Sequence, residues 1–166
     1  MSDDPHAAVR EYDDGDGPAL RRLHRRALRA AGTDPDDVPG TDDLDDVESA
    51  YFDPGGAFLV AEVDGEVVAM GGLAAEAHTD YATLADGEGE LLRIAVDPDH
   101  QREGYGDAIV GGLEDAARDR GLDRLVLWTA RRQRAATEFY PARGYEQVDT
   151  RTEGEYDLLK FAKRLD

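Results

Sequence analysis

Residues 91–113, LLRIAVDPDHQREGYGDAIVGGL, bring together the types that could hold an anion. Gly104 and Gly106 follow Arg102 and precede Ile109, Val110 and Leu113, with Ala116 and Ala117 further on at helical spacing. The first turn of a helix leaves its backbone N–H groups without partners, and the helix dipole makes that end positive. Glycines lack a Cβ, so a phosphate can come close to those N–H groups, and Arg102 could add a charge. A bare Gly-x-Gly is equally consistent with a plain turn. The stretch is not a P-loop, since no Gly-Lys-Ser/Thr follows. Nor is it a full Gly-x-Gly-x-x-Gly fingerprint, because Ile109 stands three residues after Gly106.

The elements that would position this loop can be read on either side of it. Leu91 to Val96 is an apolar, branched run that predicts a buried strand. Asp97-Pro98-Asp99 stops it, since Pro98 cannot continue a ladder and Asp favours turns. The prediction is strand, glycine loop, helix.

Val96-Asp97-Pro98 followed by Gln101-x-x-Gly104-x-Gly106 resembles the acetyl-CoA signature of the GCN5-related N-acetyltransferase (GNAT) family. The segment from Gln133 to Tyr145, QRAATEFYPARGY, resembles that family's later motif, Asn-x-x-Ala-x-x-x-Tyr followed by Gly-Phe or Gly-Tyr. The resemblance implies a mixed central sheet of six to seven strands with helices on both faces. It also implies acetyl-CoA as co-substrate. The backbone of Ile94, Ala95 and Val96 would pair with the pantetheine amides. The pyrophosphate would sit on the N–H groups of the loop Gln101, Arg102, Glu103, Gly104, Tyr105, Gly106 and Asp107. Gln133 stands where the family commonly has an Asn that bonds the cofactor; its amide offers the same groups on a longer stem.

The resemblance further places Tyr140 as general acid for the leaving thiolate and Glu90 as general base for the acceptor ammonium. Glu88, His78 and Tyr81 are the reserves for the base. A core aromatic and a surface carboxylate are the competing readings of Tyr140 and Glu90. Pro141 directly follows Tyr140; it removes an N–H and is expected to end or kink the helix there. The acceptor would be a primary amine, either a small molecule or a protein N-terminus, and IAVDPDHQREGYG is similar to the ribosomal-protein N-terminal branch of the family. The alternative is a non-catalytic domain of the same fold that holds acyl-CoA as a sensor or scaffold.

In chain order, Ala7–Tyr12 reads as a strand. A helix follows with Asp16 as cap, Pro18 near its start and Gly32 at its end. Its apolar stripe is Ala19, Leu20, Leu23, Ala27, Leu28 and Ala31; Arg21, Arg22, Arg25, Arg26 and Arg29 occupy the other face and read as solvated. After the acidic loop Thr33–Pro39, a short helix begins near Thr41 or Asp42 and runs to Tyr51, with Leu44, Val47 and Tyr51 on one face. Ala57–Val63 and Glu66–Leu73 are strands joined by the hairpin turn Asp64-Gly65. Residues 74–89 read as a strand end and a long loop. A strand Glu90–Val96, a helix Gly104–Arg120, a strand Arg124–Thr129, a helix Gln133–Arg143, a strand Tyr145–Val148, a turn Thr150–Glu155 and a last strand Tyr156–Ala162 complete the chain. The order is β-α-α-β-β-β-α-β-α-β-β, the α/β pattern of one domain over residues 1–166.

Asp and Glu total 38 against 19 Lys and Arg, a net charge of −19. Phosphates and anionic membranes would be repelled, which argues against nucleic acid or a membrane surface as partner. The acids are spread along the chain, as in proteins of extreme halophiles, where salt screens self-repulsion. They could also draw in a cationic amine. No stretch approaches a membrane span, and the acidic start, Met1-Ser2-Asp3-Asp4, is not a signal peptide, so the expected location is the cytoplasm. With no cysteine and the four histidines dispersed, no metal is expected. Monomer and homodimer both fit.

Overall fold

The computed structural model describes residues 8–30, 32, 44–75, 84–131, 133–154 and 156–165. Seven strands form one sheet: β1 (Val9–Glu11), β2 (Ala57–Val63), β3 (Glu66–Ala74), β4 (Glu88–Val96), β5 (Arg124–Ala130), β6 (Glu146–Glu153) and β7 (Tyr156–Arg164). Their spatial order is β1-β2-β3-β4-β5-β7-β6. Every neighbouring pair is antiparallel except β4 and β5, which run parallel. Among the described residues the α-helices are α1 (Gly17–Ala30), α2 (Tyr105–Asp119) and α3 (Arg134–Ala142).

Two cores flank the sheet. Leu20 and Leu23 of α1 pack with Leu44, Val47, Tyr51, Phe58, Val60 and Met70 on one face. Ile109, Val110 and Leu113 of α2, with Tyr140 of α3, pack against Leu59, Leu91, Leu127 and Phe161 on the other. The alternation of side chains along each strand assigns neighbours to opposite cores.

Several expected boundaries move, each for a physical reason. The first strand contracts to Val9–Glu11. Asp13, not Asp16, caps the turn that leads into α1. Asp16 instead accepts Arg10 through both oxygens (2.8 and 2.9 Å) and the Asp13 N–H (2.8 Å). Gly32 does end α1, at φ 82°, with its N–H on the Arg29 carbonyl. The segment before β2 is a π-turn over Glu48–Phe52, closed by the Asp53 N–H on the Glu48 carbonyl, in place of a regular helix. Thr41 and Asp42, the expected caps, lie outside the described residues. The expected turn at Thr150–Glu155 belongs mostly to β6, whose polar alternation suits a solvent-facing edge strand.

The feature that matters for the site is a bulge in β4. Met70 pairs with Ala95 and Gly72 with Leu92, so Arg93 and Ile94 together face Gly71. Arg93 absorbs the extra residue at φ 58°, a left-handed conformation that costs a side chain about 1 kcal/mol or more. Gly71 is required there. A Cβ on it would lie 2.6 Å from both Ile109 Cγ2 and Ile94 Cδ1, so glycine lets α2 settle directly over the bulge.

Candidate active site

β4 and β5 pair only over Glu88–Glu90 and Arg124–Val126. Beyond that point β4 stays with β3 as far as Val96, and β5 stays with β7 as far as Ala130. The two parallel strands therefore fork just after Glu90. The fork leaves the β4 edge from Leu91 to Val96 facing a gap rather than a strand. An extended chain with amide groups can pair with such an edge. The backbone of Ile94, Ala95 and Val96 lies along that edge.

The glycine loop closes the wide end of the gap. Asp97 caps a short 3-10 turn, Pro98–His100, by accepting the Asp99 N–H (2.9 Å). Arg102 at φ 64° and Gly104 at φ 92° then turn the chain into α2. The first helical bond runs from the Ala108 N–H to the Gly104 carbonyl (3.1 Å). The N–H groups of Gly106 and Asp107 thus have no acceptor within the helix and point out of its positive end. Two acids near this end are already matched: Glu103 meets His100 at 3.2 Å, and Asp107 meets Arg143 at 2.6 Å.

Two loop side chains do something other than hold an anion. The Gln101 amide donates to the Val96 carbonyl (2.8 Å) and ties the loop to the strand end. The Tyr105 ring is buried in the core beside His100, so only its backbone is offered to a ligand. Gln133 is likewise engaged, accepting the Thr129 hydroxyl at 3.3 Å. Arg26, which the sequence placed on a solvated helix face, reaches both Asp97 (3.2 Å) and Asp99 (3.1 Å) and pins the loop to α1.

Glu90 sits at the last paired position before the fork, and only 1% of it is exposed. Its Oε1 has no hydrogen-bond partner among the described residues. Burial pushes its carboxyl up to about 7, against the opposing pull of the Lys160 and Arg93 cations. A carboxylate that titrates near neutrality at the mouth of a gap is equipped to take a proton. Glu88 is not: it is locked to Arg124 (2.6 Å) and to the Ala85 N–H (2.8 Å). His78 and Tyr81 lie outside the described residues.

Tyr140 lies on the other face of the sheet, among Phe139, Tyr145 and Phe161, with ring centroids 5.1 to 6.1 Å away. Burial holds its phenol well above the ordinary tyrosine range, so it stays protonated. Pro141 does not end the helix before Tyr140: α3 runs through it to Ala142. The Tyr140 carbonyl then takes the N–H groups of both Arg143 and Tyr145 at 3.0 Å, which closes the helix just beyond the proline. A buried cluster supports this end. Glu114 of α2 accepts Tyr145 (2.9 Å), Arg143 (3.1 Å) and Lys163 (3.1 Å), which joins α2, α3 and β7.

Sequence reasoning missed a second group beside Glu90. Val126 pairs with Glu90, and Trp128, the next residue on that face of β5, pairs with Lys160 of β7. Glu90, Val126, Trp128 and Lys160 therefore share the α1 face of the sheet, with the Lys160 ammonium over the indole at 5.8 Å. The available signal was compositional: Trp128 is the one tryptophan, and Lys160 is one of only two lysines.

Comparison with known proteins agrees with this architecture. The family model described as acetyltransferase (GNAT) family matches residues 18–145. A probable N-acetyltransferase, camello, of Xenopus tropicalis is 38% identical over 106 residues, covering 63% of this chain and 46% of that protein. A crystal structure of a GNAT-family acetyltransferase from Staphylococcus aureus Mu50 superposes with a TM-score of 0.81 at 18% identity, over 95% of this chain and 98% of the other. An aminoglycoside 6'-N-acetyltransferase solved with coenzyme A gives a TM-score of 0.71 at 18% identity, over 95% and 97% of the two chains. The chain spans about half or less of the length of the first curated relatives it matches.

Proposed function

The chain belongs to the acetyltransferase (GNAT) family, and from that premise we propose that it transfers an acetyl group from acetyl-CoA to a primary amine. One observation carries the reading: a buried Glu90, its Oε1 unpartnered among the described residues, stands where β4 and β5 part. A domain that only held acyl-CoA would need the glycine loop and the open β4 edge. It would have no use for an ionisable group of this kind at the fork.

The residues fit the donor. The open edge at Ile94–Val96 suits the amides of pantetheine, and the N–H groups of Gly106 and Asp107 suit a pyrophosphate. Acetyl-CoA supplies an acyl thioester, whose C–S bond breaks as the C–N bond to the amine forms. Glu90, from the α1 face, takes the proton that the attacking ammonium must lose. A backbone N–H of Ala95 or Val96 polarises the carbonyl oxygen. Tyr140, from the opposite face, gives its phenolic proton to the departing sulfur and regains one from solvent. The fork makes this division possible, because a group threaded between β4 and β5 can be reached from both faces of the sheet.

The first test is thermal unfolding in molar KCl with and without acetyl-CoA, followed by thiol release with an amine panel. Saturation at 100 times the dissociation constant adds about 2.7 kcal/mol. Protection together with amine-dependent thiol release supports the reading. Protection with no thiol release from any amine would turn it to the acyl-CoA-binding module. The absence of protection would remove the cofactor site altogether. Among the described residues no helix is long and apolar enough to cross a membrane; we propose a cytoplasmic enzyme of a salt-rich cell.

A further inference from the structure

The two charges that act on Glu90 are both positive, in a chain with 38 acids and 19 bases. Arg93 comes from the bulge three residues along β4, and Lys160 comes from β7. Their placement follows from the sheet. β5 lies between β4 and β7, so Lys160 stands two strands from Glu90 and one side-chain step further along. With strands about 4.8 Å apart and alternate residues about 6.7 Å apart, the two Cα atoms are roughly 12 Å from one another. Both side chains rise from the same face of the sheet, roughly perpendicular to it. An α-amino acid with a hydrogen bond at each end, its ammonium to a carboxylate and its carboxylate to an ammonium, bridges roughly 8 Å of that distance.

Lys160 also leans the right way. Its cross-strand neighbour on β6 is Asp149, an exposed acid on the side away from Glu90. The ammonium lies instead over Trp128 on β5, the strand between Lys160 and Glu90. The indole face both attracts the cation and holds its long stem in one direction. Without such an anchor a lysine side chain spreads over many rotamers.

We propose that Lys160 forms an anion subsite beside Glu90, so that the preferred acceptor is an amine carrying a carboxylate close to its amino group, the α-amino acid class. This rests on the transferase reading: the amino group is delivered to Glu90 and the carboxylate to Lys160. A peptide N-terminus lacks that neighbouring carboxylate, and a polyamine would place a second cation against Lys160.

The experiment uses the full chain in molar KCl with acetyl-CoA. Thiol release is measured with the common L-amino acids, with their carboxamides, and with the corresponding decarboxylated amines. Wild type is compared with Lys160→Met and Lys160→Arg, and each variant's acetyl-CoA thermal shift is recorded as a check of fold and donor site. The expected result is a preference for the free acids. In Lys160→Met their KM rises roughly tenfold or more with a smaller change in kcat, in line with the loss of one charged hydrogen bond. Lys160→Arg keeps the preference, and the carboxamides respond to neither change. Equal or better use of carboxamides or plain amines, or a preference that survives Lys160→Met, overturns the inference and leaves the transferase reading intact. So does acetyl-CoA protection with no turnover of any α-amino acid. Absence of acetyl-CoA protection in wild type removes the transferase reading, and this inference with it.

Discussion

Replacing Glu90 by Gln tests the site through stability and rate at once. The Glu90 carboxyl titrates near 7 in the folded protein, against 4.5 for an ordinary glutamate. A raised value means that the folded state favours the protonated form. The stability this confers is fully present below pH 4.5 and is lost as pH rises through 7. One pKa unit corresponds to about 1.4 kcal/mol, so holding Glu90 ionised at alkaline pH costs roughly 3 kcal/mol. About 2 kcal/mol of that cost falls between roughly pH 5.5 and 8.5, a range that avoids acid unfolding. The amide introduced by Glu90→Gln keeps the shape of the carboxyl and never ionises. The stability of Glu90→Gln relative to wild type should therefore grow by about 2 kcal/mol across that range. The assay is denaturant unfolding at several pH values in molar KCl, where surface carboxylates are screened. In the same samples wild-type kcat/KM should rise tenfold per pH unit below about 7 and level off above it. The variant should lack that rise and fall by about 10²-fold or more. A stability difference that stays flat with pH would refute the buried, raised carboxyl. Wild-type rate and profile in Glu90→Gln would remove it as the base.

Three further outcomes follow from the same geometry. Tyr140→Phe keeps the ring in its aromatic cluster and loses only the phenolic proton; kcat should fall by about 10²-fold with acetyl-CoA protection unchanged, whereas unchanged turnover would return Tyr140 to the core alone. Gly104→Ala forces a side chain into φ 92° at the start of α2; the cost of about 1–2 kcal/mol should lower Tm by roughly 2–8 °C and weaken acetyl-CoA protection, and a neutral result would mean that the turn relaxes. Lowering KCl from molar to millimolar should lower Tm, because a net charge of −19 then repels itself over a longer screening length; a Tm that stays flat would separate the acidity from salt adaptation.

The parts legible in the sequence were those governed by neighbours along the chain. Continuous apolar runs located Ala57–Val63 and β3, and Asp64-Gly65 marked their turn. Leu20 and Leu23 of the α1 stripe and the Leu44, Val47, Tyr51 set are buried as their spacing demands, while Ala19, Ala27 and Leu28 are half-buried and Ala31 lies outside the described residues. What could not be read there depends on register between distant strands. The fork exists because β4 pairs with β5 for only a short stretch and then bends at Arg93, and no local pattern announces a non-glycine residue at φ 58°. Arg26 looked like solvated surface because its partners, Asp97 and Asp99, are more than 70 residues away. Gln101 and Tyr105 stand in the motif, yet the Gln101 amide bonds the Val96 carbonyl and the Tyr105 ring is buried. A motif of backbone chemistry constrains side chains through the turn it builds, so its residue types alone do not say which atoms a ligand would meet.

The total charge was a poor guide to the site for a related reason. At molar salt the screening length is about 3 Å, so carboxylates spread over the surface cannot steer a ligand from afar. Only charges at contact distance, or shielded from salt by burial, retain their effect. Glu90 is buried, and the cations that act on it are Arg93 and Lys160. A substrate arriving in concentrated salt meets that local arrangement and not the net charge of −19. On the proposed reading, recognition then falls to the charge beside Glu90 and not to the acidity of the whole surface. This is why an acidic chain and an acceptor that carries a carboxylate are compatible.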